Sequence, residues 1–574
     1  MNEVIDADIL VVGGGAAGTR SAIEVASEGL RVLCLSKGPV GRSGITSVAA
    51  EGYQVPCAEG DSPRQHYEDT VSAGRGLSDR NLAYMLARGA ADSLKELLRY
   101  GARFKRDREG GFIQSLRPGQ AHKRNCFLRG GGWGMMAALK AELARRRGVL
   151  LFEDVIMTRL LVDSGRAAGA VFLELRSGEL RAVRARAVVL AVGGYEELWP
   201  FTDCPSESTG EGHLQAFDAG AALIDLEQVL YYPTVLIHPR ACRGWMLQYE
   251  YLLNPEILQG RLLNGRGEEF IEGFPGRDEI VRRVYREMAS GRASPHGGFF
   301  LDLTRDPRGR EHVTRMLEKW LSVQFKSLLK MGIDLRERPV EMAPAAHFCL
   351  GGIQIDEHGR TEVPGLFAAG EAAGNLHGAN RMSGNALTET MVFGRQAGRS
   401  AIHFAKENKT PEADLRSALR EEGSFISRLT ERAGRPGEMR PWELKRRLQE
   451  LLWRFLGPSR SEGGLKEGLS ATEELMERAL PSLSAAPIKR YCHEVREAYE
   501  AAAMGRLAQL ILRSALERKE TRGHHFREDF PEREKTPYHT RARSVAGRLV
   551  LDRVPIAELA PWQAAEPLAE KVEL

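Results

Sequence analysis

The chain has 574 residues, of which 43% are hydrophobic and 28% are charged, and its 81 basic and 77 acidic residues leave a net charge of +4. This length exceeds one ordinary hydrophobic core, so we expect several domains, and the composition is globular rather than disordered. The small net charge, without basic runs interleaved with aromatic residues, argues against nucleic acid as a partner.

The first elements predict a βαβ unit that binds a nucleotide. An apolar run ending in "VVGG" is followed by a helical pattern over 16–29 and a second apolar run, "LRVLCLS". Between them, Gly13, Gly15 and Gly18 have the spacing that allows a tight turn, a close pyrophosphate and a helix packed on the sheet. The loop alone does not separate NAD from FAD. The second run also ends in Ser36 and Lys37, without the usual ribose-binding carboxylate.

Later segments predict the rest of the fold. Two apolar runs that end in small residues, 186–194 and 363–374, are typical of strands that meet a cofactor, and their separation predicts an inserted domain. Charged helical patterns follow, and we interpret their charge as a solvated face rather than a docking surface. We predict an α/β protein with a Rossmann-like nucleotide-binding domain at 1–227 and 345–408, an inserted α+β capping domain at 228–344, a helical domain at 409–530 and a short C-terminal segment at 531–574.

The cysteines and the N-terminus bear on the compartment. The seven cysteines are scattered without a C-x-x-C pair, which argues against zinc, an iron–sulfur cluster and a disulfide framework. We expect no metal site and free thiols in a reducing compartment. No leader-like segment precedes the first strand, and no run approaches the ~20 apolar residues of a membrane span. We therefore expect a cytoplasmic protein that does not insert into a membrane.

Four segments together carry a family resemblance. They are 36–52, "SKGPVGRSGITSVAAEG", 345–356, "AAHFCLGGIQID", 365–398, which includes "GEAAGNLHGANRMSGNAL", and 522–533, "RGHHFREDFPER". In this order they resemble the flavoprotein subunit of succinate dehydrogenase and fumarate reductase, a family that includes L-aspartate oxidase. The resemblance implies FAD between the two parts of the nucleotide-binding domain, with the capping domain closing over its isoalloxazine.

The resemblance implies a set of FAD contacts. They are Gly13, Gly14, Gly15, Ala16, Ala17, Gly18, Ser36, Lys37, Ser43, Gly44, Thr46, Gly52, Glu211, Glu371, Ala386 and Leu387. Glu371 would bind a ribose hydroxyl, and Glu211 stands where the family usually has aspartate. Thr46 replaces a histidine that many relatives bond to the flavin, so we expect noncovalent FAD. Its lower expected potential favours electron donation to a C=C bond.

The resemblance also implies the groups that handle an unsaturated acid. Arg277, followed by Asp278 in "FPGRDEI", matches the family's proton donor. With a side-chain pKa above about 12, an arginine is a workable acid only where a neighbouring carboxylate relays protons. His347 and Arg381 match the family's carboxylate-binding pair, and an arginine can grip a carboxylate through two hydrogen bonds. We expect hydride transfer between flavin N5 and an α,β-unsaturated carboxylate such as fumarate.

Other positions depart from the family pattern. Tyr232, in "YYPT", stands where a second carboxylate-binding histidine belongs, and an ungapped alignment puts Leu252 and Leu253 where the family has threonine and glutamate. The second carboxylate site should therefore be less polar, which leaves a monocarboxylate or a substituted fumarate open as the substrate. Pro118, beside Arg117, replaces the glutamate with which L-aspartate oxidases meet the substrate ammonium.

These observations leave alternatives to a fumarate reductase or succinate dehydrogenase-like enzyme. One is L-aspartate oxidase, which returns electrons to oxygen or fumarate, and another is a non-catalytic flavin electron-transfer subunit. Retention of Arg277, His347 and Arg381 argues against the latter. The resemblance implies an iron–sulfur partner subunit, through which the protein would lie at the inner face of the membrane, and the lack of cluster-ligating cysteines in this chain is in keeping with it. The alternatives are a soluble partner that oxidises a thiol, a quinol or NADH, or a self-sufficient enzyme that uses free reduced flavin or oxygen.

Overall fold

The structure is a computed structural model that describes residues 4–50 and 52–571, so Glu51 of the predicted segment 36–52 lies outside the described residues. The predicted βαβ unit is present at the start. The elements up to the cap are β1 (Val4–Val12), α1 (Ala16–Ser27), β2 (Val32–Ser36), α2 (Ile45–Val48), β3 (Gly52–Gln54), α3 (Pro63–Ala73), α4 (Arg80–Arg99), β4 (Gln114–Ser115), β5 (Asn125–Phe127), α5 (Gly131–Ala144), β6 (Val149–Glu153), β7 (Val155–Asp163), β8 (Arg166–Glu174), β9 (Glu179–Leu190), α6 (Glu211–Asp218) and β10 (Leu223–Ile224).

The inserted cap has its own sheet and core. Its elements are β11 (Val229–Leu236), α7 (Tyr249–Leu252), β12 (Arg261–Leu263), α8 (Arg277–Glu287), β13 (Phe299–Asp302), α9 (Gly309–Trp320), α10 (Ser322–Lys330) and β14 (Val340–Cys349). The strands form an antiparallel sheet in the order β11-β14-β13-β12. Strand β14 runs past the predicted cap boundary at 344, because it pairs with β11 as far as Val229 opposite Cys349.

The chain then completes the nucleotide-binding part and adds helices. The elements are β15 (Gly352–Ile353), β16 (Leu366–Ala368), α11 (Asn385–Glu407), α12 (Leu415–Glu431), α13 (Pro441–Phe455), β17 (Ser459–Arg460), α14 (Glu462–Ser482), α15 (His493–Glu517), β18 (Phe526–Arg527), β19 (Tyr538–Val545), β20 (Arg548–Pro555) and α16 (Pro561–Ala565). The segment after 531 contains the hairpin β19–β20, which extends a sheet with β10 and β15. None of the helices in the described ranges combines the length and apolarity that a bilayer span requires.

A seven-stranded sheet forms the core of the nucleotide-binding part and confirms the predicted α/β class. Its order is β6-β2-β1-β9-β8-β7, with β16 also paired to β9. Strands β1, β2, β6, β9 and β16 run parallel. Apolar residues of the inner strands, such as Leu10 and Val189, are fully buried, as expected for a sheet covered on both faces, whereas Leu150 on the edge strand β6 is exposed. Their carboxyl ends share one edge, which places the loops after β1, β2, β9 and β16 together.

Candidate active site

Three glycines in the loop between β1 and α1 and in the first turn of α1 leave no room for a side chain. Gly13 has φ of +121°, and a side-chain carbon there would lie 1.9 Å from the carbonyl oxygen of Ala191. The same carbon at Gly18 would lie 2.0 Å from the carbonyl oxygen of Gly13, and at Gly14 it would lie 2.2 Å from Oγ of Ser36. These contacts press the turn against the sheet, so the loop shape is set by backbone packing.

The remaining side of this loop is open, as a phosphate site requires. At Gly15 the nearest atom to an added carbon is Oγ1 of Thr46, at 3.5 Å. Ala16 and Ala17 start α1 and are buried, so the positive end of the helix faces the loop. The Ala16 amide donates to Oγ1 of Thr46 over 3.2 Å, which fixes α2 beside the loop. The arrangement fits the pyrophosphate of a dinucleotide.

The predicted contacts at the end of β2 are tied to the first turn of α6. Ser36 donates its hydroxyl to the carbonyl of Gly38 over 2.7 Å. Nζ of Lys37 lies 2.7 Å from the carboxylate of Glu211 and 3.1 Å from that of Glu500. Burial alone would lower the pKa of Lys37, but these two carboxylates outweigh it and raise the pKa above its ordinary value. Lys37 and Glu211 therefore form one charged cluster at the edge of the cradle.

The described residues on either side of Glu51, 43–50 and Gly52, lie near the same region. Ser43 donates to the carbonyl of Pro39 over 2.9 Å, and Gly44, with φ of +76°, begins α2. An added carbon at Gly52 would lie 2.5 Å from Oδ1 of Asn125, so β3 packs closely on β5. The described residues of this segment thus connect the glycine loop to β3 and β5.

Three residues converge at the start of α11. Its N-cap, Gly384, has φ of +90°, and no side chain caps the helix. An added carbon at Gly384 would lie 2.6 Å from Oδ1 of Asn125 and 2.9 Å from Nε2 of Gln54. Oε1 of Gln54 and Oδ1 of Asn125 are buried and lack hydrogen-bond partners among the described residues. With the uncapped N–H groups of the turn at Ala386 and Leu387, they present donors and acceptors to a planar heterocycle such as isoalloxazine.

A buried acidic cluster lies beside this helix start. The Cys349 amide donates to Oε1 of Glu371 over 2.9 Å and to Oε1 of Glu196 over 3.1 Å. Burial and the neighbouring Glu196 carboxylate hold the pKa of Glu371 well above its ordinary value. Burial also raises the pKa of the Cys349 thiol. A protonated carboxyl can donate as well as accept a hydrogen bond, which suits the ribose hydroxyl that Glu371 is predicted to bind.

The cap and the loop before α11 bring the predicted arginines together. Nη2 of Arg277, the first residue of α8, donates to Oδ1 of Asn380 over 3.0 Å and to the carbonyl of Arg381 over 3.2 Å. Nη2 of Arg381 lies 3.1 Å from Nε2 of His347, and Nδ1 of His347 lies 2.8 Å from Oδ2 of Asp203. Because arginine has no acceptor, His347 Nε2 must accept, which puts the ring hydrogen on Nδ1 facing Asp203.

The two guanidinium groups lack an anion. Nε of Arg277 and Nε of Arg381 are buried without partners among the described residues, none of which forms an ion pair with either group. Burial and the charge of Arg277 lower the pKa of Arg381 to about 10. The ring of Phe348 lies under the Arg381 guanidinium, 4.5 Å from ring centroid to Cζ. A carboxylate would satisfy both Nε donors and offset the repulsion.

Comparison with known proteins identifies the family to which the chain is similar. Residues 8–387 match a family described as FAD binding domain, and residues 445–559 match one described as fumarate reductase flavoprotein C-term. One subunit of the fumarate reductase (CoM/CoB) of Methanothermobacter marburgensis is 37% identical over 544 residues, 92% of this chain and 96% of that protein. L-aspartate oxidase of Streptomyces coelicolor is 32% identical over 570 residues, 96% of this chain and 92% of that protein. The solved structure of Mycobacterium smegmatis Sdh1 in complex with UQ1 matches with a TM-score of 0.90 at 26% identity, over 98% of this chain and 96% of that chain.

The chain belongs to the succinate dehydrogenase and fumarate reductase flavoprotein family. This confirms the resemblance carried by the four sequence segments. It also confirms that the protein is a FAD-dependent oxidoreductase.

One departure from the family pattern has a structural counterpart that the sequence did not indicate. Tyr232 lies beside His347, with ring centroids 5.2 Å apart, and its hydroxyl donates to Oε2 of Glu250 over 2.5 Å. Burial and the Glu250 carboxylate raise the pKa of Tyr232 well above its ordinary value. Leu252 and Leu253 instead belong to the buried core of the cap. The pocket beside Tyr232 therefore contains a carboxylate, and it is more polar than the ungapped alignment implied.

Arg117 and Pro118 lie in the segment where L-aspartate oxidases have their distinguishing glutamate. Pro118 is exposed, and the guanidinium of Arg117 lies over the ring of Tyr251 at 5.4 Å. Tyr251 in turn stacks on Trp320 with centroids 4.8 Å apart. This segment presents a cation, and Pro118 offers no side-chain acceptor to an ammonium group.

Proposed function

We propose that this flavoprotein reduces an α,β-unsaturated carboxylate, such as fumarate, with Arg277 as the proton donor. The observation that carries the proposal is the pair of adjacent arginines, Arg381 buried and Arg277 half-buried, whose buried Nε donors have no partner among the described residues. Two adjacent positive charges without an anion are unfavourable in a protein interior, and a substrate carboxylate is their natural complement. When bound, FAD supplies the hydride at N5.

The binding step falls to Arg381 and its supports. Asp203 holds the Nδ1 hydrogen of His347, and Nε2 of His347 accepts from Nη2 of Arg381. This chain of contacts fixes the guanidinium plane while leaving its Nε hydrogen for the substrate. Arg381 would therefore draw electron density toward the bound carboxylate as negative charge builds on it during reduction.

The protonation step falls to Arg277. It is placed at the first position of α8 and anchored by Asn380, so its Nη1 and Nε hydrogens remain for the acceptor. An arginine that gives up a proton must regain it from a carboxylate relay. Glu250 is the candidate, because it accepts a hydrogen bond from the hydroxyl of Tyr232. The Glu250 carboxylate raises the pKa of that hydroxyl and the charge of Arg277 lowers it, so both groups act on the same hydroxyl.

The reaction is tested by reducing the bound flavin anaerobically and adding one acceptor at a time. Fumarate should restore the oxidised absorbance within seconds, in keeping with ordinary enzyme turnover of about 1 s⁻¹ or faster. Reoxidation by oxygen together with production of reduced flavin from L-aspartate would instead assign the activity of L-aspartate oxidase, which a relative at 32% identity carries by name. No response to any unsaturated acid would overturn the proposal.

We further propose that FAD is held without a covalent bond. Thr46 has a hydroxyl where a ring nitrogen would be needed, and that oxygen already accepts from the Ala16 amide. Acid precipitation of the holoenzyme should therefore release all flavin absorbance into the supernatant. Flavin fluorescence that stays with the denatured polypeptide in a gel would overturn this assignment.

An iron–sulfur partner subunit is the third part of the proposal, and any position at the inner face of the membrane would follow from partners. The relative from M. marburgensis is itself named as one subunit of an enzyme. Val48, on α2, and Trp133, on α5, are each 61% exposed. These helices touch each other, since an added carbon at Gly132 would lie 1.6 Å from the carbonyl oxygen of Thr46. A partner seated there would approach the FAD cradle directly.

A matched pair of tryptophan variants tests the partner surface. Trp133→Arg should abolish copurification of iron–sulfur absorbance from the native source, whereas Trp442→Arg, at a tryptophan 56% exposed on α13, should not. Both variants should keep FAD and thermal stability. Equal retention of the partner by the two variants would place the docking surface elsewhere, and a competent single chain would remove the need for a partner.

A further inference from the structure

The turn at residues 522–525 reaches the acceptor site, although the mechanism above does not use it. Its first and last residues form a β-bridge, and Gly523 has φ of +58° at its tip. A side-chain carbon at Gly523 would lie 2.1 Å from the carbonyl oxygen of Ala379. Ala379 directly precedes Asn380, which holds Arg277. The turn is therefore packed against the loop that carries both arginine contacts.

The next residue of the turn, His524, faces the cap strands. Its Nδ1 accepts from the Tyr231 amide at 3.5 Å. In the β11–β14 ladder, Tyr231 is opposite Ala346, which adjoins His347, and Tyr232 follows it. His524 thus lies between the arginine loop on one side and the strands that carry Tyr232 and His347 on the other.

The ring of His524 has an unused hydrogen-bond donor. It is 4% exposed, and Nε2 has no partner among the residues that the structure describes. Because Nδ1 accepts from a backbone amide, the hydrogen of the neutral ring is on Nε2. Burial, followed by the charge of Arg277, lowers the pKa of His524 well below its ordinary value, so the ring is neutral near pH 7.

We propose that the Nε2 hydrogen of His524 binds the second carboxylate of a dicarboxylate acceptor, at the end that Arg381 does not hold. This inference rests on the proposed function and makes His524 a specificity-determining residue. A buried donor without an acceptor is unfavourable, and a ligand oxygen would satisfy it. The pocket should accordingly prefer fumarate to an acid of the same carbon chain with one carboxylate.

The preference is measured with fumarate and crotonate, which share the but-2-enoate skeleton and differ in the second carboxylate. His524→Leu replaces the donor with an apolar side chain of similar size. His524→Gln instead places an amide donor near the position of Nε2. We expect His524→Leu to lower kcat/KM for fumarate by about 10-fold or more, chiefly through KM, because a hydrogen bond to a charged group is lost. For crotonate, kcat/KM should change by less than about twofold, and His524→Gln should recover most of the fumarate loss.

A second measurement separates binding from folding. The FAD content of His524→Leu should equal that of the wild type, and its thermal midpoint should change little, because the variant removes an unsatisfied donor together with the 3.5 Å contact to the Tyr231 amide. A lower midpoint with equal losses for both acids would assign a structural role and overturn the proposal. An unchanged fumarate-to-crotonate ratio in a stable variant would overturn it as well.

Failure of the proposed function has a different signature. In that case the reduced wild-type flavin would respond to neither acid, whatever residue 524 is. Titration of the oxidised holoenzyme with malonate, read from flavin absorbance, then still tests His524, since it needs no turnover. A dissociation constant for malonate that is the same in wild type and His524→Leu would reject the second carboxylate contact.

Discussion

The FAD cradle and the acceptor pocket adjoin each other but are specified by different forces. In the cradle, main-chain atoms restrict the shape, and added carbons at Gly13 and Gly18 would lie 1.9 and 2.0 Å from carbonyl oxygens. In the pocket, charge determines which ligand fits, because Arg277 and Arg381 lie side by side. Their Nε atoms have no partner among the described residues. The shape of the glycine loop is set by the protein alone, whereas the two arginines present donors that an anion would satisfy.

This difference predicts that variants fall into two groups. Changes in the pocket should alter which acid reacts and how fast, while leaving FAD bound and the fold stable. Changes in the cradle should alter FAD retention and the stability of the apoprotein. Both groups can be measured on the same preparation from flavin absorbance per protein, the thermal midpoint and the rate of fumarate reduction.

The largest effect is expected from Arg277→Gln. Removing a positioned proton donor typically lowers the rate by about 10²- to 10⁴-fold, and kcat for fumarate should fall within this range. FAD content should be unchanged. Arg283→Gln is the matched control, because Arg283 lies on the same helix, is exposed and pairs with Glu279. Turnover of Arg277→Gln within about threefold of wild type would mean that another group donates the proton.

Arg381→Met should come next and should separate affinity from stability. Loss of a buried charge-assisted contact should lower kcat/KM for fumarate by about 10²-fold, in both KM and kcat. The thermal midpoint should not fall, because the change removes a charge whose burial, together with repulsion by Arg277, lowers the Arg381 pKa to about 10. A large drop in stability would show that the arginine supports the fold rather than the substrate.

A smaller effect is expected from Tyr232→Phe. The change removes the hydroxyl that donates to Glu250, and one hydrogen bond of about 1 kcal/mol corresponds to roughly fivefold in kcat/KM. Tyr285→Phe serves as a comparison, since its hydroxyl donates to the carbonyl of Trp453 at 3.1 Å, outside the pocket. Equal losses in the two variants would argue against a role for Tyr232 at the substrate.

The smallest effect concerns the cradle and is seen only as a pH dependence. The pKa of Glu371 is raised in the fold, so above about pH 4.5 the unfolded chain loses a proton that the folded apoprotein keeps. Stability from this group is therefore present at low pH and is lost as pH rises toward the folded pKa. Thermal midpoints of FAD-free Glu371→Gln should gain on wild type between pH 5 and pH 8. Parallel midpoint curves for the two proteins would contradict the shift.

The cradle was predictable from the sequence because its determinants are local. The spacing of Gly13, Gly15 and Gly18 between two apolar runs already limits the backbone to a turn that faces a phosphate, and the α/β class followed from the same pattern. The arginines were found through the family resemblance. That Arg277 and Arg381 touch depends on the cap and the loop before α11 meeting in space.

Other pocket residues could not be found in this way. Glu250 reaches Tyr232 because α7 is a short helical turn, and an ungapped alignment missed this and selected Leu252. Gln54 is a polar residue in a segment whose sequence resembles ordinary buried chain, and His524 belongs to a segment that carries the family resemblance but implied no role for it. Oε1 of Gln54 and Nε2 of His524 lack partners among the described residues because of how the surrounding chain folds, which the sequence pattern does not give.

Strand β9 has a consequence for how the protein is made. Its first half pairs with β8, and its last residues pair with β16, which lies beyond the whole cap in the chain. During synthesis the ribosome must therefore deliver the cap before β16 can join the sheet and before α11 can place its first turn at the FAD site. The cap is synthesised first, and β16 and α11 follow it. The sheet therefore cannot be completed around FAD before the cap has been synthesised.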